Sequence, residues 1–203
     1  ESGAVTVNDE LVKELGYKVK DTDKITFQGK VLKRQKLTYI LLNKPKDYIT
    51  TLDDPMERRT VMELIKSTTN ERVYPVGRLD RNTTGLLLMT NDGDIVNKIL
   101  RARNNHEKEY VVRVNKRITA DFIRKMGQGV PILGTKTRRC EVRQIDAFTF
   151  RIVLTQGLNR QIRRMCELVG LKVVGLKRIR IGKVMLGNLP TGQWRYLRDG
   201  EQF

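Results

Sequence analysis

A single acid between two arginines, Arg78-Leu79-Asp80-Arg81, stands in the polar stretch Gly77 to Gly85, which has no apolar periodicity. A carboxylate in a loop held by a rigid element can be exposed and fixed at once, as a nucleophile or general base must be. Taken alone, an Asp in a polar loop is more commonly a turn cap, with its arginines solvated. A second group lies in Gln156 to Gly170, where Arg160, Arg163 and Arg164 follow Asn159. Ile162, Met165, Cys166 and Val169 form one apolar stripe of a helix there, so the arginines project elsewhere. Asn159 is the expected N-cap and Gly170 the expected stop. Between Gln156 and Arg180 seven basic residues face one acid, Glu167. Such a run is either a solvated face or, with a helix N-terminus close by, a place where phosphates are held. Tyr110, on an alternating strand, is by type alone a core residue more often than a chemical one.

These residues need rigid elements beneath them. Leu86 to Met89 reads as a fully buried strand, closed by the turn residues Asn91-Asp92-Gly93. Asp94 is then expected to cap a helix over Ile95 to Arg101. A second buried strand, Tyr39-Ile40-Leu41-Leu42, must end at Asn43-Lys44-Pro45 because proline cannot donate to a ladder. A short helix over Thr60 to Lys66 with Thr60 as cap, and a strand over Glu109 to Val114, follow. Thr119 starts a helix carrying Phe122, Ile123 and Met126, with Gly127 as its expected stop. Two paired strands, Arg138 to Ile145 and Phe148 to Leu154, surround Asp146-Ala147. Lys172-Val173-Val174 and strands after Gly182 complete the sheet. Strands mixed with helices, without regular βαβ alternation, predict an α+β fold: a mixed, mainly antiparallel sheet with flanking helices.

The chain has 203 residues, room for one ordinary domain with a small appendage, and its 39% apolar content fits a globular protein. Forty Lys+Arg against 23 Asp+Glu give a net charge of +17, which points to a polyanionic partner. No basic amphipathic helix with bulky apolar residues is evident, and no apolar run has the length of a membrane span, so nucleic acid is favoured over a membrane surface. Two unclustered cysteines, Cys140 and Cys166, with one histidine, His106, make no zinc site; reduced thiols and a cytoplasmic location are expected. His106 reads as a surface loop residue. No helix-turn-helix or zinc-finger spacing supports a DNA-binding module.

The string Gly77-Arg78-Leu79-Asp80-Arg81-Asn82-Thr83-Thr84-Gly85-Leu86-Leu87 resembles the G-R-L-D-x-x-T-x-G-L-L motif of pseudouridine synthases, in the branch that modifies ribosomal RNA. Asn43-Lys44-Pro45 after a strand, Lys108-Glu109-Tyr110 before one, and Gln161-Ile162-Arg163 are similar to the family's other motifs. The resemblance implies that Asp80 is the catalytic carboxylate, that Arg163 pairs with it, and that Tyr110 stacks on the target base. It implies RNA contacts by Arg78, which in relatives takes part in displacing the base, and by Lys44, Asn159, Arg160 and Arg164. Asn105 to Tyr110, Gly129 to Thr135 and Gln156 to Cys166 are most similar to RluF-type members of the RsuA/RluB/RluE/RluF family. Members of that type act on 23S ribosomal RNA of the large subunit and on a tyrosine tRNA anticodon loop. A monomer with neither metal nor cofactor is expected.

Residues 1–36 read separately. Ala4 to Val7 and Ile25 to Phe27 are strands, Asn8-Asp9 is a turn, and Lys30 to Lys36 is a basic linker with Lys30, Lys33, Arg34 and Lys36. This piece resembles the C-terminal half of an S4-type RNA-binding domain, a truncated β unit ahead of a catalytic domain at 37–203.

Making pseudouridine breaks the C1′–N1 bond, turns the uracil and joins C5 to C1′. A carboxylate can attack C1′ or take the 2′ proton and pass through a glycal; the sequence does not choose. The base must first leave its stack. The other reading of this charge distribution is a non-catalytic RNA-binding or ribosome-assembly protein, which has no need of Asp80, Tyr110 and Arg163 together.

Overall fold

The computed structural model describes residues 3–33, 36–51, 54–66, 71–101 and 105–201. The chain divides into two compact units, 1–36 and 37–203. The first is a four-stranded antiparallel sheet of β1 (Val5–Val7), β2 (Glu10–Leu11), β3 (Ile25–Phe27) and β4 (Lys30–Val31), in the order β2-β1-β3-β4. Asn8-Asp9 and Gln28-Gly29 turn its hairpins with positive φ at both positions, which matches the strand twist. Lys30, expected in a linker, is part of the last strand; Arg34 lies outside the described residues.

The second unit runs β5 (Tyr39–Lys44), α1 (Met62–Ile65), β6 (Tyr74–Pro75), β7 (Thr84–Thr90), α2 (Gly93–Leu100), β8 (Lys108–Val114) and α3 (Ala120–Gln128). It continues with β9 (Pro131–Ile132), β10 (Thr135–Lys136), β11 (Glu141–Gln144), β12 (Thr149–Leu154), α4 (Gln161–Leu168), β13 (Val173–Ile181), β14 (Val184–Met185) and β15 (Trp194–Tyr196). Among the described residues one sheet follows the path β11-β12-β8-β13-β7-β5-β15, with β14 on β13 and β6 on β7. Its pairs are antiparallel except β13 with β7, which is parallel. The fold is thus α+β with a mixed, mainly antiparallel sheet.

Strand β7 carries the unbroken apolar run Leu86 to Met89 because both of its faces are covered. Leu87 and Met89 pack with Ile40, Leu42 and Val61, while Leu86 and Leu88 pack with Leu41, Ile99 and Ile181. Beyond the parallel seam, α3 and α4 cover one face of β8 and β12 through Phe122, Met126, Ile162 and Met165. The edge-to-face pair Phe122–Phe150 fixes α3 to β12.

Four helix ends differ from expectation. Asp92, not Asp94, caps α2: its Oδ1 accepts from the amides of Asp94 and Ile95, while the Tyr39 hydroxyl donates to Oδ2. The α1 cap is Val61, with no side-chain bond. Helix α3 runs through Gly127 and ends at Gly129, whose φ of +103° no residue with a Cβ holds easily. Arg160, in the left-handed conformation, takes the cap position of α4 in place of Asn159. Gly170 does close α4, with Leu171 N–H bonded to the Cys166 carbonyl. Among the described residues no helix is long and apolar enough to cross a membrane.

Candidate active site

The loop ahead of β7 is anchored at Leu79 and Thr83. Leu79 is buried, and its amide and carbonyl both meet the Thr50 hydroxyl at 3.2 Å. Thr83 is buried too, with its amide bonded to the Asp80 carbonyl at 2.9 Å. Between these anchors the Asp80 side chain projects outward, 38% exposed. Beneath the loop Lys44 is completely buried, and its Nζ donates to the carbonyls of Thr83 (2.7 Å), Pro45 (3.0 Å) and Arg81 (3.3 Å). Burial pushes the Lys44 ammonium down to about 8, against the opposing pull of Asp47 and Asp80.

Helix α4 arrives from the other side of the seam. Arg160 Nη1 donates to Asp80 Oδ2 at 3.1 Å. Arg163 Nε lies 3.9 Å from the same oxygen, and its Nη2 donates to the Thr83 hydroxyl at 3.3 Å. Arg163 is the more enclosed of the two, and burial, helped by the neighbouring Arg160 charge, lowers its pKa. The amide oxygen of the buried Gln161 accepts from Leu158 N–H, which shapes the turn before the helix.

Asp80 opens on a cleft of about 840 Å³ whose walls include Arg78, Tyr110, Asn159, Arg160 and Arg163. The fold therefore brings together six of the eight residues expected at the site. Lys44 and Arg164 are not on the wall. Lys44 corrects the expectation of an RNA contact, because an ammonium sealed from solvent and filled by three carbonyls has nothing left to offer a phosphate. Arg164 folds back on Asn159, donating to its carbonyl and to its Oδ1, both at 2.9 Å. His106, expected on the surface, is half-buried on the cleft wall. Lys108 and Arg178 also line the cleft; Arg178 entered the sequence reading only as part of a basic run. Leu176 and Arg178, two apart on β13, share the inner face, and a bulge after Arg178 turns Arg180 to the other face opposite Glu109 and puts Ile181 opposite Lys108. Both cysteines are free thiols, and burial pushes them up to about 11 (Cys140) and about 12 (Cys166).

Residues 38–168 match the family described as RNA pseudouridylate synthase. The chain belongs to that family. It is 48% identical, over 99% of its length and 69% of the relative's, to the dual-specificity RNA pseudouridine synthase RluF of Escherichia coli O6:H1. It is 35% identical to the ribosomal large subunit pseudouridine synthase B of Bacillus subtilis, over 98% of this chain and 84% of that one. A crystal structure of a pseudouridylate synthase superposes with a TM-score of 0.76 at 29% identity, covering 97% of this chain and 86% of the other. The protein is accordingly an enzyme, an isomerase that forms pseudouridine in RNA, and the reading as a non-catalytic RNA-binding protein is set aside.

Proposed function

We propose that Asp80 is the carboxylate that works on C1′ of the target uridine, with Arg160 and Arg163 balancing its charge and Tyr110 stacking on the displaced base. The observation that carries this reading is the convergence on one oxygen, Asp80 Oδ2, of two guanidiniums from the far side of the sheet seam, at 3.1 and 3.9 Å. A carboxylate so placed is screened for attack on a sugar yet fixed in direction. Arg78, exposed at the cleft mouth, contacts the RNA and helps hold the base out of its stack, while Asn159 and Arg160 meet the backbone. Arg164 shapes that contact through Asn159.

The substrate we infer is a uridine of large-subunit 23S ribosomal RNA, and also a tyrosine tRNA anticodon loop. The likeness to a dual-specificity synthase and to a large-subunit synthase supports this reading. Unstacked loop nucleotides are what such a cleft can read. The enzyme acts as a monomer in the cytoplasm, and the 1–36 unit, S4-like in its strand pattern, adds RNA contacts.

Asp80→Asn should lower tritium release from 5-tritiated uridine RNA by more than about 10³-fold while leaving RNA affinity within severalfold. Turnover close to wild type in that variant would remove Asp80 from the chemistry. Chemical mapping of pseudouridine in 23S rRNA and tyrosine tRNA incubated with the enzyme identifies the target; modification of neither overturns the substrate reading.

A further inference from the structure

Lys108, Tyr110 and Arg178 share one face of the sheet and all line the cleft. Residues 108 and 110 are two apart on β8 and point the same way, and Arg178 is the cross-strand partner of Tyr110 on β13. The neighbours in these rows are apolar: Lys108 stands between Leu154 and Ile181, and Ile152 is on the other side of Tyr110. Among the described residues no acid pairs with either cation. The nearby Glu107 and Glu109 are taken by Arg180 and Arg151. Arg178 is only 4% exposed; its Nε donates to the Leu86 carbonyl at 2.8 Å, and its buried Nη2 has no partner among the described residues. Burial, and then the Arg178 charge, push the Lys108 ammonium down from its ordinary value.

Two cations close together among apolar neighbours, Lys108 half-buried on the cleft and Arg178 enclosed, repel one another until an anion enters the cleft. Backbone phosphates stay solvated and suit the exposed Arg78 and Arg160 at the cleft mouth. A uracil stacked on Tyr110 presents its edge to the side chains flanking that ring, and those are Lys108 and Arg178. The ring also becomes an anion during the reaction.

We propose that Lys108 and Arg178 hold the uracil once its bond to C1′ breaks, neutralising the charge on the departing ring. This rests on the assignment of Asp80 above. A pair from the Asp80 carboxylate forms the bond to C1′, and the C1′–N1 pair leaves on N1, so the uracil carries the charge the carboxylate gave up. After rotation C5 attacks C1′ and the pair returns to Asp80. The C5 hydrogen leaves as a proton and N1 gains one, so the composition is unchanged. In the glycal route Asp80 takes the 2′ proton, the C2′–H pair becomes the C1′=C2′ bond and the ring again leaves with the C1′–N1 pair. When C5 attacks C1′, C2′ recovers the proton from Asp80, so the cations have the same task. Cations fixed in advance among apolar neighbours are worth most where charge develops.

The test uses Lys108→Met, which keeps the stem and removes the charge, on a mixture of 5-tritiated bulk ribosomal RNA and tRNA, so that no single target is assumed. Single-turnover tritium release at saturating enzyme should fall by about 10²-fold or more. RNA affinity and its dependence on KCl should stay as in wild type, and Lys108→Arg should recover most of the rate. An unchanged rate at saturation, with a slope of log Kd against log[KCl] shallower by about 0.7–0.9, would make Lys108 a phosphate ligand and overturn the proposal. Arg178→Lys serves as the partner variant; if it fails to fold, the Lys108 series decides alone. Should Asp80→Asn keep its activity while Lys108→Met loses it, the acid is misassigned and the cation pair stands.

Discussion

Two cations are buried in the large sheet, in the same row of register: Lys44 on β5 and Arg178 on β13 both pair with Gly85 of β7. They are almost equally enclosed, yet their donors meet different things. Lys44 fills its ammonium with three loop carbonyls, whereas Arg178 makes one bond to a carbonyl and leaves Nη2 without a partner. A fully satisfied buried charge behaves as a structural pin; one with fewer partners on a cleft wall lends that cleft positive potential. The wall under Asp80 is thus built for rigidity, and the wall beside Tyr110 for chemistry.

That contrast breaks most visibly in stability. Lys44→Met strands three carbonyls and should cost about 3 kcal/mol in a denaturant titration, while Arg178→Met, which loses one bond and removes an orphan donor, should cost about 1 kcal/mol. Equal losses would erase the distinction. Gly85→Ala touches both walls: φ is +102° and the new Cβ would lie 2.1 Å from the Arg178 carbonyl, so the strands must part. A loss of about 2 kcal/mol or more, with slower tritium release, is expected.

The pH dependence sharpens the same comparison. Lys44 is depressed to about 8 in the folded state, from an ordinary 10.5. Between those values the unfolded chain binds more protons, so this group adds stability as pH rises and adds no further change below 8. The stability gap between wild type and Lys44→Met should therefore widen from pH 8 to 10, measured by denaturation at each pH. A gap that shrinks would show that Lys44 is not held in a depressed state. A comparably small loss of stability belongs to a residue off the cleft wall: Asp92→Ala should cost about 1 kcal/mol through the lost cap of α2, with turnover unaltered.

Much of this was legible in the chain. The strands containing 39–42 and 86–89 follow from unbroken apolar runs, which only burial on two faces accommodates, and Pro45 fixes where the first must end. The loop with Asp80 and the helix with Arg160 and Arg163 carry their chemistry in residue type and spacing. Helix ends were less legible, since Asp92 and Asp94 are both good caps and the choice fell to a Tyr39 hydroxyl on a different strand. Gly127 likewise was passed over for Gly129, whose missing Cβ lies against the Thr137 carbonyl.

By itself the sequence determined the elements, the basic character and the set of groups able to do the chemistry, because periodicity, turn residues and charge act locally. Only the tertiary structure decided which cation does what. Lys44, Arg160, Arg163 and Arg178 are alike as letters. The register of β5, β7 and β13 and the approach of α4 set which is sealed on carbonyls, which touches the acid and which keeps an unfilled donor beside the cleft, since burial and hydrogen-bond partners come from segments distant along the chain.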